Sequence, residues 1–246
     1  YRMQTINIWH KHHIHWRKII LAVFVFFPAF VFSQRNVMEN DLKFARKPYH
    51  FGIHLAAGLG DFKIKQNELF ASSDSILSIK SKYGMSFEIG ALMSFHINKY
   101  VELRTIPSFV FAQKQIVYDY ADLTTKELKP ALSQIYFDLP LEIKVKSEPL
   151  KDIKLYLIAG LKYGYDIGGN FKDRKKPGIP KQSAHDFGVN YGAGIEIHFP
   201  LFILSPEFRM YNSVINIHKQ DNTIPESRFI KGLYNRSYTF SLNFEG

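Results

Sequence analysis

The sequence predicts an all-β chain, an eight-stranded antiparallel barrel of the transmembrane kind, and three observations lead there. A two-residue rhythm returns, segment after segment, from Phe51 to Phe244. From Phe87 the odd positions read Phe87, Ile89, Ala91, Met93, Phe95 and Ile97, and the even ones Glu88, Gly90, Leu92, Ser94 and His96. That is a strand with one apolar face and one mostly small or polar face. In several segments the polar face carries full charges, which suits a barrel with lipid outside and a polar lumen inside. The connections also alternate, short after strands two, four and six and long after the others. Short periplasmic turns and longer extracellular loops are the asymmetry expected of such barrels.

Residues 1–33 read as a signal peptide. Arg2, Lys11, Arg17 and Lys18 form a basic start without an acid, and an apolar run follows from Ile19 to Phe32 before Ser33 and Gln34. Cleavage is expected after Ser33. The run is broken by Pro28 and too short for a spanning helix, which needs about 20 apolar residues. Met3 is a candidate start. His10, His12, His13 and His15 lie in the segment to be removed, so no metal site is expected of them. Removing four basic residues lowers the formal charge from +10 to +6. No basic helix or Gly-aromatic signature accompanies that charge, so nucleic acid is not expected as a partner. The absence of cysteine excludes disulfides and thiol catalysis. Aromatic residues make up 15% of the chain, enough for girdles at two membrane interfaces.

Residues 34–48 form a polar periplasmic lead-in, and 49–246 the barrel. Strand one spans Tyr49 to Ile64, with Phe51, Ile53, Leu55, Ala57 and Leu59 outward against the small Gly52, Ala56, Gly58 and Gly60. Strand two spans Tyr83 to Ile97 and strand three Val101 to Tyr120, the latter protruding beyond the bilayer. Strand four spans Ile135 to Lys146, strand five Ile153 to Ile167, and strand six His185 to Phe199. Strand seven starts after Pro200 and runs to Ile217, and strand eight spans Tyr234 to Phe244. Pro107, Pro140 and Pro206 fall within strands, where each deletes a ladder bond, so a bulge is expected at each. A soluble, lipocalin-like barrel would also supply eight strands, but it would need Leu and Phe to line a cavity while Glu, Lys and Arg faced water.

Several short motifs carry a family resemblance. They are Phe32-Ser33-Gln34, Lys47-Pro48-Tyr49-His50-Phe51-Gly52, Pro107-Ser108-Phe109, Asp138-Leu139-Pro140-Leu141-Glu142, and the Gly160 to Gly164-Tyr165 pattern. Together they resemble the PorT-like outer-membrane β-barrels of Bacteroidetes, over nearly the whole chain after the signal peptide. The resemblance implies a small outer-membrane barrel and, for PorT itself, a part in the type IX secretion system. None of the motifs is catalytic.

By parity the lumen should hold Glu88, Glu102, Arg104, Glu142, Lys144, Lys162, Glu196, Glu207 and Arg209. An eight-stranded barrel is only wide enough for its own side chains, so these charges are expected to pair as a plug rather than line an ion path. The loop carrying Lys172, Arg174, Lys175 and Lys176 is a candidate contact for lipopolysaccharide phosphates, or a solvated loop. No serine lies in a nucleophile motif and the histidines are scattered, so an enzyme is not expected; Ser213 and His218 are an ordinary loop pair. The expectation is a non-enzymatic barrel without cofactor or metal, touching outer-membrane lipid and other secretion proteins. A structural or adhesin-like barrel is the alternative, and a lipid-modifying enzyme the third.

Overall fold

In a computed structural model of the chain, the structure describes residues 47–67, 70, 76–120, 127–128, 131–168, 181–220 and 225–246. The strands among them are β1 (Tyr49–Gln66), β2 (Ile76–Lys82), β3 (Gly84–His96), β4 (Val101–Thr105), β5 (Ser108–Tyr120), β6 (Glu127–Leu128) and β7 (Ala131–Lys146). There follow β8 (Ile153–Asp166), β9 (Lys181–Gln182), β10 (His185–His198), β11 (Ile203–Ser213), β12 (His218–Lys219) and β13 (Ile230–Glu245). The signal peptide, and the lead-in up to residue 46, lie outside the described residues.

The antiparallel ladders close on themselves. From β1 the pairing passes to β13, β11, β10, β8 and β7, and β3 returns to β1. Between β7 and β3 lie β4 and β5, each paired to both. Thr105 pairs with Leu141 and Ser108 with Asp138, and on the other edge Met93 pairs with Thr105 and Gly90 with Ser108. The two registers are continuous, so β4 and β5 are one strand interrupted at Ile106–Pro107. Counted so, the ring has eight members. Closure gives every member a neighbour on both sides and leaves the ring no free edge.

Burial follows the two-residue rhythm in an inverted sense. Along β7, Leu141 and Ile143 are 56% and 51% exposed, whereas Glu142 and Lys144 between them are fully buried. Leu155 and Leu157 of β8 are likewise exposed while Tyr156 and Ile158 are buried. An apolar exterior around a charged interior is what a hydrocarbon solvent favours, since it asks nothing of Leu and penalises Lys. At one end the connections are tight. The Asn98 side chain accepts from the Tyr100 and Val101 amides, Lys151 takes the left-handed conformation at φ 56° in the next turn, and the Phe199 amide donates to Phe202 at 2.9 Å.

The prolines act differently from expectation. The register does not shift at Pro107, Pro140 or Pro206, so none of them inserts a bulge, although the β10–β11 ladder skips the rungs of Ser205 and Pro206. Instead the ladder lapses at Ile106–Pro107, which Pro140 faces across the β7 edge. The Thr105 hydroxyl bonds the Pro140 carbonyl at 2.7 Å, and the Pro107 carbonyl accepts from Ala91 at 3.1 Å. Leu92 and Ile106 are fully buried at this level, so the gap is flanked by an apolar rung on the enclosed face.

The end opposite the tight turns departs furthest from the sequence reading. Strand two is too short in that reading, because β2 prolongs β3. Lys82 pairs with Gln115 and Ser86 with Ala112, so Tyr83, Gly84 and Met85 face only Gln113 and Lys114. This is a bulge. Gly84 is required there: a Cβ would lie 1.6 Å from the Gln113 carbonyl oxygen. Beyond the bulge the faces exchange, so that Ile79 is buried and Lys80 exposed. A second shift leaves Lys231 out of register, between Gly232 opposite Lys65 and Ile230 opposite Gln66. Strand seven stops at Ser213. The chain after it folds back, with Asn216 accepting from the His218 and Leu233 amides and β12 pairing β9. Phe62, Ile79, Ile116, Tyr118, Ile217, Ile230 and Leu233 thereby form a buried apolar cap. Full burial of a side chain such as Ile217 contributes about 1.5–3 kcal/mol.

Candidate functional site: the charged interior

Midway along the ring, Arg104 joins three strands. Its Nε and Nη2 donate to Glu142 Oε2 at 2.9 and 2.8 Å, and Nη2 also donates to Glu207 Oε2 at 2.7 Å. All three side chains are essentially without solvent contact. Arg209 bonds Glu207 and approaches Glu142 at 3.4 Å, and Asn190 of β10 donates to Glu142. The Tyr156 ring lies 5.8 Å from the Arg104 guanidinium and 4.4 Å from Lys144 Nζ. Glycine at position 194 makes room for that ring, since a Cβ would lie 2.4 Å from the Tyr156 hydroxyl.

Toward the tight turns a second cluster continues the first. Lys144 Nζ is 2.5 Å from Glu196, 3.5 Å from Glu245 and 3.7 Å from Glu102. Lys146 bonds Glu102, whose carboxylate also meets His96 at 2.7 Å. His50 meets Glu245 at 2.5 Å, and the His50 and His96 rings lie 4.9 Å apart. Glu196 is 3.8 Å from His198.

Toward the cap the pairs loosen into a polar network. Lys162 donates to Asp138 at 2.6 Å. Glu88 lies 3.6 Å from His54, which is bonded to Asn243 at 2.6 Å. Lys114 donates to Asn235, and Asn235 to Asp186, at 2.6 and 2.7 Å. Glu88, Lys114, Asp138, Lys162, Asp186 and Tyr211 line a cavity of about 40 Å³, room for a few waters at most.

All nine charges that parity assigns to the interior therefore lie on the enclosed face, and every one has an opposite charge or a histidine within 4 Å. Removing either member of such a pair strands the other in a medium that cannot solvate it, a cost of about 3–5 kcal/mol. Asp138, Lys146, His50, His54 and Lys114 share the same even parity and could have been found by extending the same count. Glu245 lies one residue beyond the expected end of strand eight. Asp186 sits at the outer end of β10, where Ser213 reaches it at 2.6 Å. His218 is instead 3.3 Å from Ser227, and burial holds its imidazole below the ordinary range. Among the described residues no cluster of His, Cys, Asp or Glu is arranged to hold a metal. Lys172, Arg174, Lys175 and Lys176 lie outside the described residues.

Residues 32–219 match a family described as outer membrane protein beta-barrel domain. No curated protein matches the chain. Among solved structures, OprG of Pseudomonas aeruginosa is similar with a TM-score of 0.47 and 8% identity, over 80% of this chain and 93% of that one. Neisserial surface protein A gives 0.39 and 15%, over 78% and 95%. Ail, the attachment invasion locus protein of Yersinia pestis, gives 0.36 and 11%, over 81% and 100%. These likenesses are weak, and the family match is what assigns the chain.

Proposed function

Since the chain belongs to the outer-membrane β-barrel domain family and so is an outer-membrane β-barrel protein, we propose that it works as a closed, eight-stranded, non-enzymatic barrel. We further propose that it is an accessory or assembly component of type IX protein secretion. The observation that carries the first half is Arg104, buried between Glu142 and Glu207 and tying β4 to β7 and β11. A lumen cross-linked in this way and capped by apolar side chains leaves no continuous water column, so the work falls to rims, loops and protein contacts. The secretion role is supported by the PorT-like motifs. Their Asp138-Leu139-Pro140-Leu141-Glu142 segment supplies the partners of Lys162 and Arg104 and one side of the proline gap. A signal peptide cleaved after Ser33 delivers the chain, and both termini lie in the periplasm.

Deleting the gene and measuring release of cargo bearing the type IX C-terminal domain tests the role. Cargo retained in the periplasm, restored by the intact gene, is the expected result. Undisturbed secretion would leave a structural or adhesin-like barrel. The purified protein in planar bilayers should carry no steady porin-like current, and a stable ion-selective conductance would overturn the sealed lumen.

A further inference from the structure

The outward face of β1, β2 and β13 changes character abruptly along its length. Up to Leu59, Phe87 and Phe240 it is apolar and exposed. At its edge Tyr238, opposite Leu59, and Tyr83 stand 6.4 Å apart, like the aromatic girdle that marks a membrane interface. Directly beyond it come Lys63 and Lys65 of β1 and Lys80 and Lys82 of β2, all exposed. Both bulges contribute, since the shift at Tyr83–Met85 turns Lys80 and Lys82 outward and the one at Lys231 adds a further exposed cation. On β1, β2 and β13 the outward acid is Asp61, which Arg236 neutralises with contacts of 2.8 and 2.5 Å, and on the adjoining β5 Asp119 stands opposite Ser78, one rung of that face from Lys80.

We propose that this basic band is a docking surface for the phosphates of a phosphorylated glycolipid in the outer leaflet, its acyl chains lying on the apolar face below. The inference rests on the outer-membrane barrel reading, with the capped end outermost. Lysine ammonium groups meet phosphate as mobile point charges, which suits a lipid that diffuses past. A solvated face of no function would not need its cations gathered just above an aromatic girdle. The surface is built on paired strands.

The test uses the full mature protein folded into phosphatidylcholine vesicles that carry a minor share of bisphosphorylated lipid A, dephosphorylated lipid A or phosphatidylglycerol. Lipid kept by the protein after mild detergent extraction is counted by native mass spectrometry. Retention of bisphosphorylated lipid A over the other two is expected. The K63Q/K65Q/K80Q/K82Q variant should lower it by about tenfold or more, while the matching Lys→Arg variant keeps it. Heat-shifted gel mobility shows that each variant is folded. Equal retention by the Gln variant, or equal retention of phosphatidylglycerol, overturns the proposal. Cell fractionation separates the two readings, because a protein absent from the outer membrane defeats the premise, whereas one present there that fails to hold lipid A defeats only the docking surface.

Discussion

From Glu245 up to Asp186 the interior of the ring is ionic, and beyond Phe62 it is apolar; the two regions close the same sheet by different physics. The ionic region gains its rigidity from directed contacts, and its central residues are each needed by two or three others. Glu142 alone serves Arg104, Arg209 and Asn190. The cap gains its stability from area, and its members are replaceable by anything apolar of similar volume. The ionic region is therefore brittle to single changes of charge, and the cap tolerant of chemistry but sensitive to volume.

The largest effect should come from breaking the middle of the ionic region. Arg104→Ala leaves the two buried carboxylates of Glu142 and Glu207 to share the single cation Arg209, and unfolding in urea should show a loss of about 3–5 kcal/mol. Arg104→Glu should do more harm still, and a variant that folds with unchanged stability would show that water reaches this level. Next is the exterior. Leu157→Arg places a charge where the ring meets lipid, and should cost about 2–4 kcal/mol in vesicles while costing little in detergent, where the side chain can reach water. Equal stability in vesicles would mean that this face of β8 is not in lipid. The cap should respond more gently. Ile79→Ala should cost about 2 kcal/mol, the low end for such a truncation, because β2 is short and can settle into the space. Ile79→Leu should be nearly silent, and a large loss from it would make the cap as exacting as the ionic region.

The smallest effect lies at the tight-turn end, where Glu148 bonds the Tyr100 hydroxyl and meets Lys99 at 3.1 Å. The Tyr100 hydroxyl first, and Lys99 second, hold the Glu148 carboxyl below its usual value. A depressed carboxyl stabilises the fold above its unfolded pKa, about 4.3, and that contribution is lost as the pH falls through the folded value. Any difference in stability between the parent and Glu148→Gln should therefore be present at pH 7 and vanish in acid. A difference that grew in acid would reverse the sign of the argument.

The two regions also differ in how far they can be read from sequence. Glu102, Arg104, Glu142 and Lys144 stand at even positions of strands whose odd positions are Leu, Ile and Val, so parity alone separates the faces. The cap resists that reading in part: Phe62, Ile116, Tyr118 and Leu233 keep the parity of their strands, and the rest lie where parity fails. Ile79 changes face across the Tyr83–Met85 bulge, Ile230 lies beyond the shift at Lys231, and Ile217 arrives on a loop with no period at all. The prolines misled for a related reason. A bulge is the usual way to accommodate one, and nothing in the separate strands says that Pro107 and Pro140 meet across one ladder and can share a single gap.

The bulge at Tyr83–Met85 behaves as the reading frame of the strand that contains it. From Ser78 to Lys82 an odd number means cap and an even number the outward face, until a further shift at Leu77 restores Ile76 to the cap; downstream an even number means lumen and an odd number means lipid. Excising one residue between Lys82 and Ser86 would set two residues against Gln113 and Lys114, so the bulge would vanish while Lys82 still faced Gln115 and Ile79 still faced Tyr118, each on its present side of the sheet. Substitutions in β2 are tested one at a time, but the spacing at Gly84 is inherited by all of its residues together.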